Sequence, residues 1–359
     1  MKAFLILEDG HVFTGKSIGS TREVVSEIVS NTSMAGYLET MTDPSYAGQA
    51  VAMTYPLIGN YGICYEDMES GRPWVDGVIV RELSRMPSNF RSEDTIQNFL
   101  EKNDIPGISG IDTRALTKLL REHGTMNGMI TTNEHYNKEE VLEKLRAYSV
   151  GEQVSKVTCR EKSTLPGDGY KVALLDLGVK RSMVAALTDR GCEVTVYPAQ
   201  TPAEEILASD PDGIMISNGP GDPKACGALI EEVRRLYQAD IPVFAFGLGH
   251  ELMALAAGAD TCKLKSAHCG GNYPVRDLET GRVYISSQNH SYGVDMDSVK
   301  PEVAAALFEN VNDGTNEGLK YIGKDIVTVQ YYPEACPGME DSSRLFDRFL
   351  KMMEVKKNA

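Results

Sequence analysis

The sequence predicts an α/β protein that combines a carboxy-terminal doubly wound, mostly parallel sheet with an amino-terminal mixed α/β domain. In the second half, short apolar runs alternate with segments of helical spacing, which is the pattern of a parallel sheet. The first half instead has a hairpin signal and a Pro/Gly-rich middle. We therefore predict an amino-terminal domain at 1–150, a linker at 151–169 and a carboxy-terminal domain at 170–359.

The first half contains three segments whose local structure the sequence indicates. Asp9-Gly10 lies between apolar runs and predicts a hairpin. A helix is predicted at Thr113–His123, with Asp112 as its amino-terminal cap and Gly124 at its end, because leucines recur on one face between these signals. A charged helix is predicted at 138–146.

The second half begins as a regular series of strands and helices. The predicted strands are 171–177, 193–197, 213–216 and 243–246, and the predicted helices are 179–190, 203–208, 226–238 and 251–257. Turn signals then become more frequent, and we predict shorter strands at 272–275, 283–287 and 326–330. An apolar stripe at helical spacing predicts a closing helix packed on the sheet. It consists of Leu345, Phe346, Phe349, Leu350 and Met353.

Composition and charge exclude several classes of function. The chain has 359 residues, of which 42% are hydrophobic and 24% charged, so it can bury the cores of two domains. Its net charge of -15 argues against nucleic acid and against an anionic membrane surface as the main partner. Glu8 interrupts the first apolar run and no stretch has the length of a membrane span, so we expect a cytoplasmic protein. Seven cysteines without a C-x-x-C pair predict free thiols and no metal site.

A sharp strand-to-helix turn is predicted where the apolar run 243–246 meets Gly247-Leu248-Gly249. In hydrolases a turn of this kind lifts a nucleophilic side chain above the sheet, beside backbone N–H groups that hold an oxyanion. Residue 247 is glycine, which has no nucleophilic atom. The turn therefore retains its predicted shape without the group that would react.

Several motifs resemble known families. Four of them occur in the order typical of class I glutamine amidotransferases, namely 217–223 (SNGPGDP), 248–250 (LGH), 288–290 (QNH) and 333–335 (PEA). Four more resemble the amino-terminal domain of the carbamoyl-phosphate synthase small-subunit family, namely 31–37 (NTSMAGY), 42–46 (TDPSY), 55–60 (YPLIGN) and 111–114 (IDTR). The resemblance covers essentially the whole chain.

The resemblance implies a catalytic triad, and this chain departs from it. In the family a cysteine at the elbow attacks glutamine, a histidine paired with a glutamate moves the proton, and ammonia passes to an ATP-using large subunit. Gly247 stands at the cysteine position, Tyr332 stands at the histidine position, and only Glu334 is retained. A tyrosine hydroxyl, with an ordinary pKa of about 10, is a poor base at neutral pH. We therefore expect no glutaminase activity.

The resemblance also implies the positions that bind glutamine or form the oxyanion hole. The retained positions are Ser45, Gly219, Leu248 and Asn289, and Lys180 also matches the family. Glu251 replaces a glutamine and would add a charge, while Ser291 replaces a glycine and adds bulk. Glutamine binding is therefore expected to be weak.

The function expected from this resemblance is a small subunit, or a close paralogue, that binds and shapes a large subunit using free ammonia, in arginine or pyrimidine biosynthesis. No cofactor is expected on this chain, because ATP and Mg would be bound by the large subunit. Two alternatives remain open at this point. Cys269 or Cys336 could replace the missing nucleophile, or the chain could be a non-catalytic protein that binds glutamine or another small amino acid.

Overall fold

The computed structural model describes residues 1–338 and 340–358. The chain divides into two compact units. The first contains Met1–Gly151 together with Leu264–Gly270, and the second contains Glu152–Lys263 and the described residues from Gly271 onward. Nothing in the sequence pattern indicates that Leu264–Gly270 belongs with the first unit.

The first unit is built on a closed barrel of seven strands in the order β1-β2-β8-β6-β4-β3-β9, and the two remaining strands, β5 and β7, pair with each other. The strands are β1 (Lys2–Leu7), β2 (Val12–Gly19), β3 (Val24–Asn31), β4 (Gln49–Met53), β5 (Leu57–Ile58), β6 (Gly77–Val80), β7 (Glu82–Leu83), β8 (Pro106–Ser109) and β9 (Met126–Thr131). Antiparallel pairing of β1 with β9 closes the barrel, which leaves it without an exposed edge.

The first unit also contains four α-helices: α1 (Tyr37–Thr42), α2 (Ile96–Lys102), α3 (Thr113–His123) and α4 (Lys138–Ala147). Helix α3 confirms its predicted bounds and caps. The Asp112 carboxylate accepts a hydrogen bond from the Ala115 N–H at 3.0 Å, and Gly124 ends the helix with a φ of 91°. Leu116 and Leu120 bury the inner face of this helix in the core of the unit.

The second unit is organised by a ten-stranded sheet in the order β10-β12-β11-β13-β14-β19-β18-β17-β15-β16. Its strands are β10 (Ser163–Leu165), β11 (Lys171–Asp176), β12 (Glu193–Pro198), β13 (Gly213–Ile216), β14 (Val243–Phe246), β15 (Asp260–Asp277, of which 264–270 belong to the first unit), β16 (Val283–Asp295), β17 (Ala304–Asn310), β18 (Asn316–Tyr321) and β19 (Ile326–Val329). The five neighbours β12, β11, β13, β14 and β19 are parallel. Strands β18 and β17 continue the sheet in antiparallel fashion.

Helices cover both faces of the parallel strands. They are α5 (Val154–Val157), α6 (Arg181–Thr188), α7 (Ala203–Ala208), α8 (Gly227–Gln238), α9 (Leu248–Ala256) and α10 (Arg344–Lys357). Alternate residues of β11 enter two different cores: Ala173 and Leu175 pack with α7, α8 and α9, while Val172 and Leu174 pack with α6 and α10. This arrangement confirms the predicted doubly wound sheet and explains why its strands are continuous apolar runs.

Three features of the second half differ from the prediction. The predicted short strands at 272–275 and 283–287 are parts of β15 and β16, which have 18 and 13 residues. Strands β17 and β18 were not predicted, and the segment predicted as a linker contains α5 and β10. These long strands carry polar side chains, glycines and a proline, which resemble turn signals when the pairing partners are unknown. Among the described residues, no helix is long and apolar enough to cross a membrane.

Candidate active site

The predicted elbow is present between β14 and α9. Gly247 has φ 57° and ψ -123°, and its N–H donates to the carbonyl of Val329 at 3.0 Å. Residues with a side chain rarely adopt this conformation, whereas glycine does so at little cost. A Cβ atom at this position would lie 3.1 Å from the Cβ of Asn218. The turn therefore has the shape of a nucleophile elbow and holds no reactive side chain.

The loops that follow β13 and β14 pack closely against each other. The N–H of Gly249 donates to the carbonyl of Ser217 at 3.1 Å. A Cβ at Gly219 would lie 2.9 Å from Cδ2 of Leu248 and would also collide with the carbonyl oxygen of Leu177. The structure thus brings together two of the predicted pocket residues, Gly219 and Leu248, and only glycine fits at the first of these positions.

Glu334, the retained carboxylate of the expected triad, forms a buried ion pair with Lys180. Lys180 is fully buried, and its Nζ lies 2.6 Å from Oε1 of Glu334, whose side chain is 4% exposed. The same ammonium group donates to the carbonyl of Cys336 and lies 4.0 Å from the centroid of the Tyr332 ring. Glu334 therefore forms an ion pair with Lys180 at the position where the resemblance expects a carboxylate that orients a base.

The turn after β11 determines where Lys180 points. The Asp176 carboxylate accepts hydrogen bonds from the N–H groups of Gly178 and Val179 at 2.8 and 2.7 Å. The side-chain amide of Asn218 donates to the carbonyl of Gly178 at 2.9 Å. Lys180 follows directly as the residue before α6. From the sequence alone, Lys180 could equally be a solvated residue at the start of a helix. The one signal of its burial is that it follows the buried parallel strand β11.

Tyr332 provides an aromatic face rather than a base. Its side chain is buried, and its backbone N–H donates to the carbonyl of Ser287 at 2.9 Å. The ring lies beside the Lys180 ammonium at a distance typical of a cation–π interaction. Tyr332 and Glu334 thus both contact the Lys180 ammonium group.

Glu251, which the sequence predicts to add a charge to the pocket, is buried in the structure. It lies in the first turn of α9, and its Oε1 accepts a hydrogen bond from the side-chain amide of Gln330 at 3.0 Å. Complete burial raises the pKa of this carboxyl to about 8. At neutral pH the group is therefore mostly protonated, and the expected added charge is largely absent.

The remaining predicted pocket residues lie on other elements. Asn289 and Ser291 are on β16, and the buried hydroxyl of Ser291 has no hydrogen-bond partner among the described residues. Ser45 belongs to the first unit, in a 3-10 helix at Pro44–Tyr46 where its N–H donates to the Asp43 carboxylate at 2.8 Å. Of the predicted site residues, Gly219 therefore packs against Leu248. Tyr332 and Glu334 are linked because both contact Lys180.

Cys269 and His250 are enclosed and poorly suited to replace the missing groups, whereas Cys336 is less buried. Cys269 is fully buried in the apolar core of the first unit, where a thiol is not accessible as a nucleophile. Cys336 is partly buried. His250 is fully buried beside Thr328, and burial lowers its pKa to about 3, so it is neutral and enclosed. His290 bonds the Tyr292 carbonyl at 2.7 Å, which is consistent with a structural role.

Comparison with known proteins matches both halves of the chain. The family model of the carbamoyl-phosphate synthase small chain, CPSase domain, matches residues 5–130, and that of class I glutamine amidotransferase matches residues 173–352. The carbamoyl phosphate synthase small chain of Listeria monocytogenes serotype 4b is 50% identical over 99% of this chain and 98% of its own length. The small chain of Clostridium perfringens is 49% identical over 98% and 99% of the two chains. The pyrimidine-specific small chain of Halalkalibacterium halodurans is 48% identical over 100% and 99%.

Proposed function

The chain belongs to the carbamoyl phosphate synthase small-chain family, and from this premise we propose that it is a small subunit with an inactive glutaminase site that serves a large subunit using free ammonia. The proposal has two parts. The first is the loss of glutamine hydrolysis. The second is a retained role in binding and shaping the large subunit, which would carry ATP and Mg while this chain carries no cofactor.

One observation carries the loss of hydrolysis: the elbow has catalytic shape but holds Gly247. Attack on the glutamine amide requires a thiolate or an equivalent nucleophile at this point, and glycine supplies none. Tyr332 strengthens the inference, because it stands at the expected base position without an imidazole, and its ring contacts the Lys180 ammonium. Removing the members of a triad costs several orders of magnitude in rate, so backbone N–H groups alone would leave negligible turnover.

The second part of the proposal is supported by what remains intact. Gly219, Gly249 and the elbow retain their close packing, and both units have continuous cores. The chain is 50% identical to a carbamoyl phosphate synthase small chain over 99% of its length, so the similarity extends through both units and not only the half that carries the elbow. Retention of the scaffold favours continued assembly with a large subunit.

The decisive experiment compares nitrogen donors. The chain is reconstituted with the large subunit of its own organism, and carbamoyl phosphate formation is measured with ammonium or with glutamine. We expect synthesis with ammonium and only background with glutamine. Glutamine-dependent release of ammonia that disappears on thiol alkylation would refute the proposed loss of hydrolysis.

A binding measurement addresses the pocket separately. Because Glu251 is mostly neutral at pH 7, its presence does not by itself prevent glutamine from binding. We expect isothermal titration of the chain with glutamine to show weak binding without turnover. Tight binding of glutamine by a chain that captures no large subunit would instead favour an amino-acid-binding protein.

A further inference from the structure

A short segment at the start of the second unit, 152–159, is tied to that unit by hydrogen bonds at both of its ends, and we call it the strap. It contains α5 and follows directly on Gly151, where the first part of the first unit ends. Val154 and Val157 of the strap are buried. The strap is therefore a docked element of the second unit and not a loose connection.

Two anchors fix the carboxy-terminal end of the strap to the ends of β11 and β12. The Thr158 hydroxyl donates to the carbonyl of Asp176 at 2.7 Å and accepts from the N–H of Ala199 at 2.8 Å. The N–H of Cys159 donates to Oδ2 of Asp176 at 2.7 Å. Asp176 is the last residue of β11 and Ala199 follows β12. The strap therefore lies at the carboxyl edge of the parallel strands, where doubly wound folds place their functional sites.

Asp176 also shapes the turn that leads to Lys180. Its Oδ1 accepts the N–H groups of Gly178 and Val179 at 2.8 and 2.7 Å, while its Oδ2 holds the strap. Asp176 is 4% exposed, so water can replace these hydrogen bonds only if the turn opens. A movement of this carboxylate that released the strap would therefore also loosen the turn.

The other end of the strap is paired with the loop that carries Gly219. Glu152 forms an isolated antiparallel bridge with Gly221, two residues further along this loop. The loop is in turn bonded to the turn after β11, because the side-chain amide of Asn218 donates to the carbonyl of Gly178 at 2.9 Å. Strap, turn and loop thus form a closed ring of hydrogen bonds.

Groups that share one hydrogen-bond network are energetically coupled, so loosening one member weakens the others. We propose that the strap is a coupling device with Asp176 as its positioning residue: seating of the strap fixes both the turn that leads to Lys180 and the loop that carries Gly219. Because the strap follows Gly151 in the chain, a change in the course of the chain at this point acts on the strap first. The device does not depend on the proposed loss of hydrolysis, since neither Asp176 nor the strap belongs to the expected triad.

The test removes one anchor of the strap with little change in side-chain size. Thr158→Val deletes the hydroxyl that joins the strap to the ends of β11 and β12. The matched control, Thr188→Val, deletes a hydroxyl that donates to a carbonyl of its own helix, α6. Hydrogen exchange of the full chain is measured at single amides. We expect Thr158→Val to speed exchange at Gly178 and Val179 about tenfold, although neither amide bonds to Thr158, and the control to leave both within about twofold of wild type.

A second measurement follows the candidate site itself. The nitrogen NMR signal of the Lys180 ammonium group is assigned by its absence in Lys180→Met. It should shift in Thr158→Val and keep its position in the control. Asp176→Asn is the second variant, because an amide nitrogen cannot accept the Cys159 N–H, and it should shift the same signal.

Two results would overturn the proposal. In the first, exchange in Thr158→Val rises only within the strap and the Lys180 signal keeps its position, so the anchor contributes local packing alone. In the second, neither Thr158→Val nor Asp176→Asn changes exchange in the strap, the turn or the loop, so these hydrogen bonds do not hold the ring together. Calorimetric unfolding confirms that each variant is folded at the temperature of measurement.

Discussion

Replacing Lys180 by methionine should reveal how strongly the second unit depends on its buried ion pair. Methionine retains much of the apolar stem but leaves the Glu334 carboxylate, 4% exposed, without its cation. Removing one partner of a buried pair costs about 3–5 kcal/mol. Loss of the contact with the Tyr332 ring adds about 0.5–2 kcal/mol at a desolvated site. We therefore expect the variant to lower the free energy of unfolding of the second unit by about 3 kcal/mol or more.

A double-mutant cycle isolates the pair. Glu334→Gln alone should cost a similar amount, because it leaves the Lys180 ammonium buried without its carboxylate. The double variant, Lys180→Met with Glu334→Gln, should be far less destabilised than the sum of the single variants. We expect a coupling free energy of about 2 kcal/mol or more.

Native-state hydrogen exchange is the suitable assay. The single tryptophan, Trp74, lies in the first unit, so its fluorescence does not report on the second. Exchange of peptides covering β11 and β14 gives the opening free energy of the sheet that carries Lys180. A loss below about 1 kcal/mol for Lys180→Met, or additive single and double variants, would refute a buried, charged pair at this site.

Three further predictions concern the elbow and its neighbours. Gly247→Ala should destabilise the second unit by about 1–3 kcal/mol, because residue 247 has a positive φ. The control Gly227→Ala should change stability by less than about 1 kcal/mol, because a Cβ at that position meets nothing within 4 Å. Equal effects of the two variants in calorimetric unfolding would contradict this reasoning. Burial raises the pKa of Glu251 from an ordinary value of 4.5 to about 8 in the folded state. Between these pH values the unfolded chain loses this proton and the folded chain keeps it, so the free energy of unfolding falls by up to about 1.4 kcal/mol per pH unit as pH rises. Glu251→Gln should therefore flatten the pH dependence of calorimetric unfolding. Gly247→Cys combined with Tyr332→His should restore at most partial ammonia release from glutamine, since Glu251 and Ser291 still replace the glutamine and glycine expected in the pocket. Full activity in a glutaminase assay would show that these two replacements do not hinder catalysis.

The sequence by itself determined the parallel sheet, the elbow and the absence of a side chain at residue 247. Continuous apolar runs such as 243–246 identify strands buried on both faces, because a sheet covered by helices on both sides needs no alternation. The identity of residue 247 settles the absence of a reactive atom without any coordinates. Local signals were also sufficient for α3, because its caps act within a few residues.

Only the tertiary structure decided what surrounds those residues. The closure of the barrel depends on the pairing of β1 with β9, more than a hundred residues apart, and the length of β15 depends on partners that a local pattern does not contain. Lys180 and Glu334 are separated by 154 residues, so their ion pair is a result of folding. The protonation of Glu251 likewise follows from burial, since a carboxyl group's pKa depends on the solvent and charges around it rather than on its neighbours in the chain.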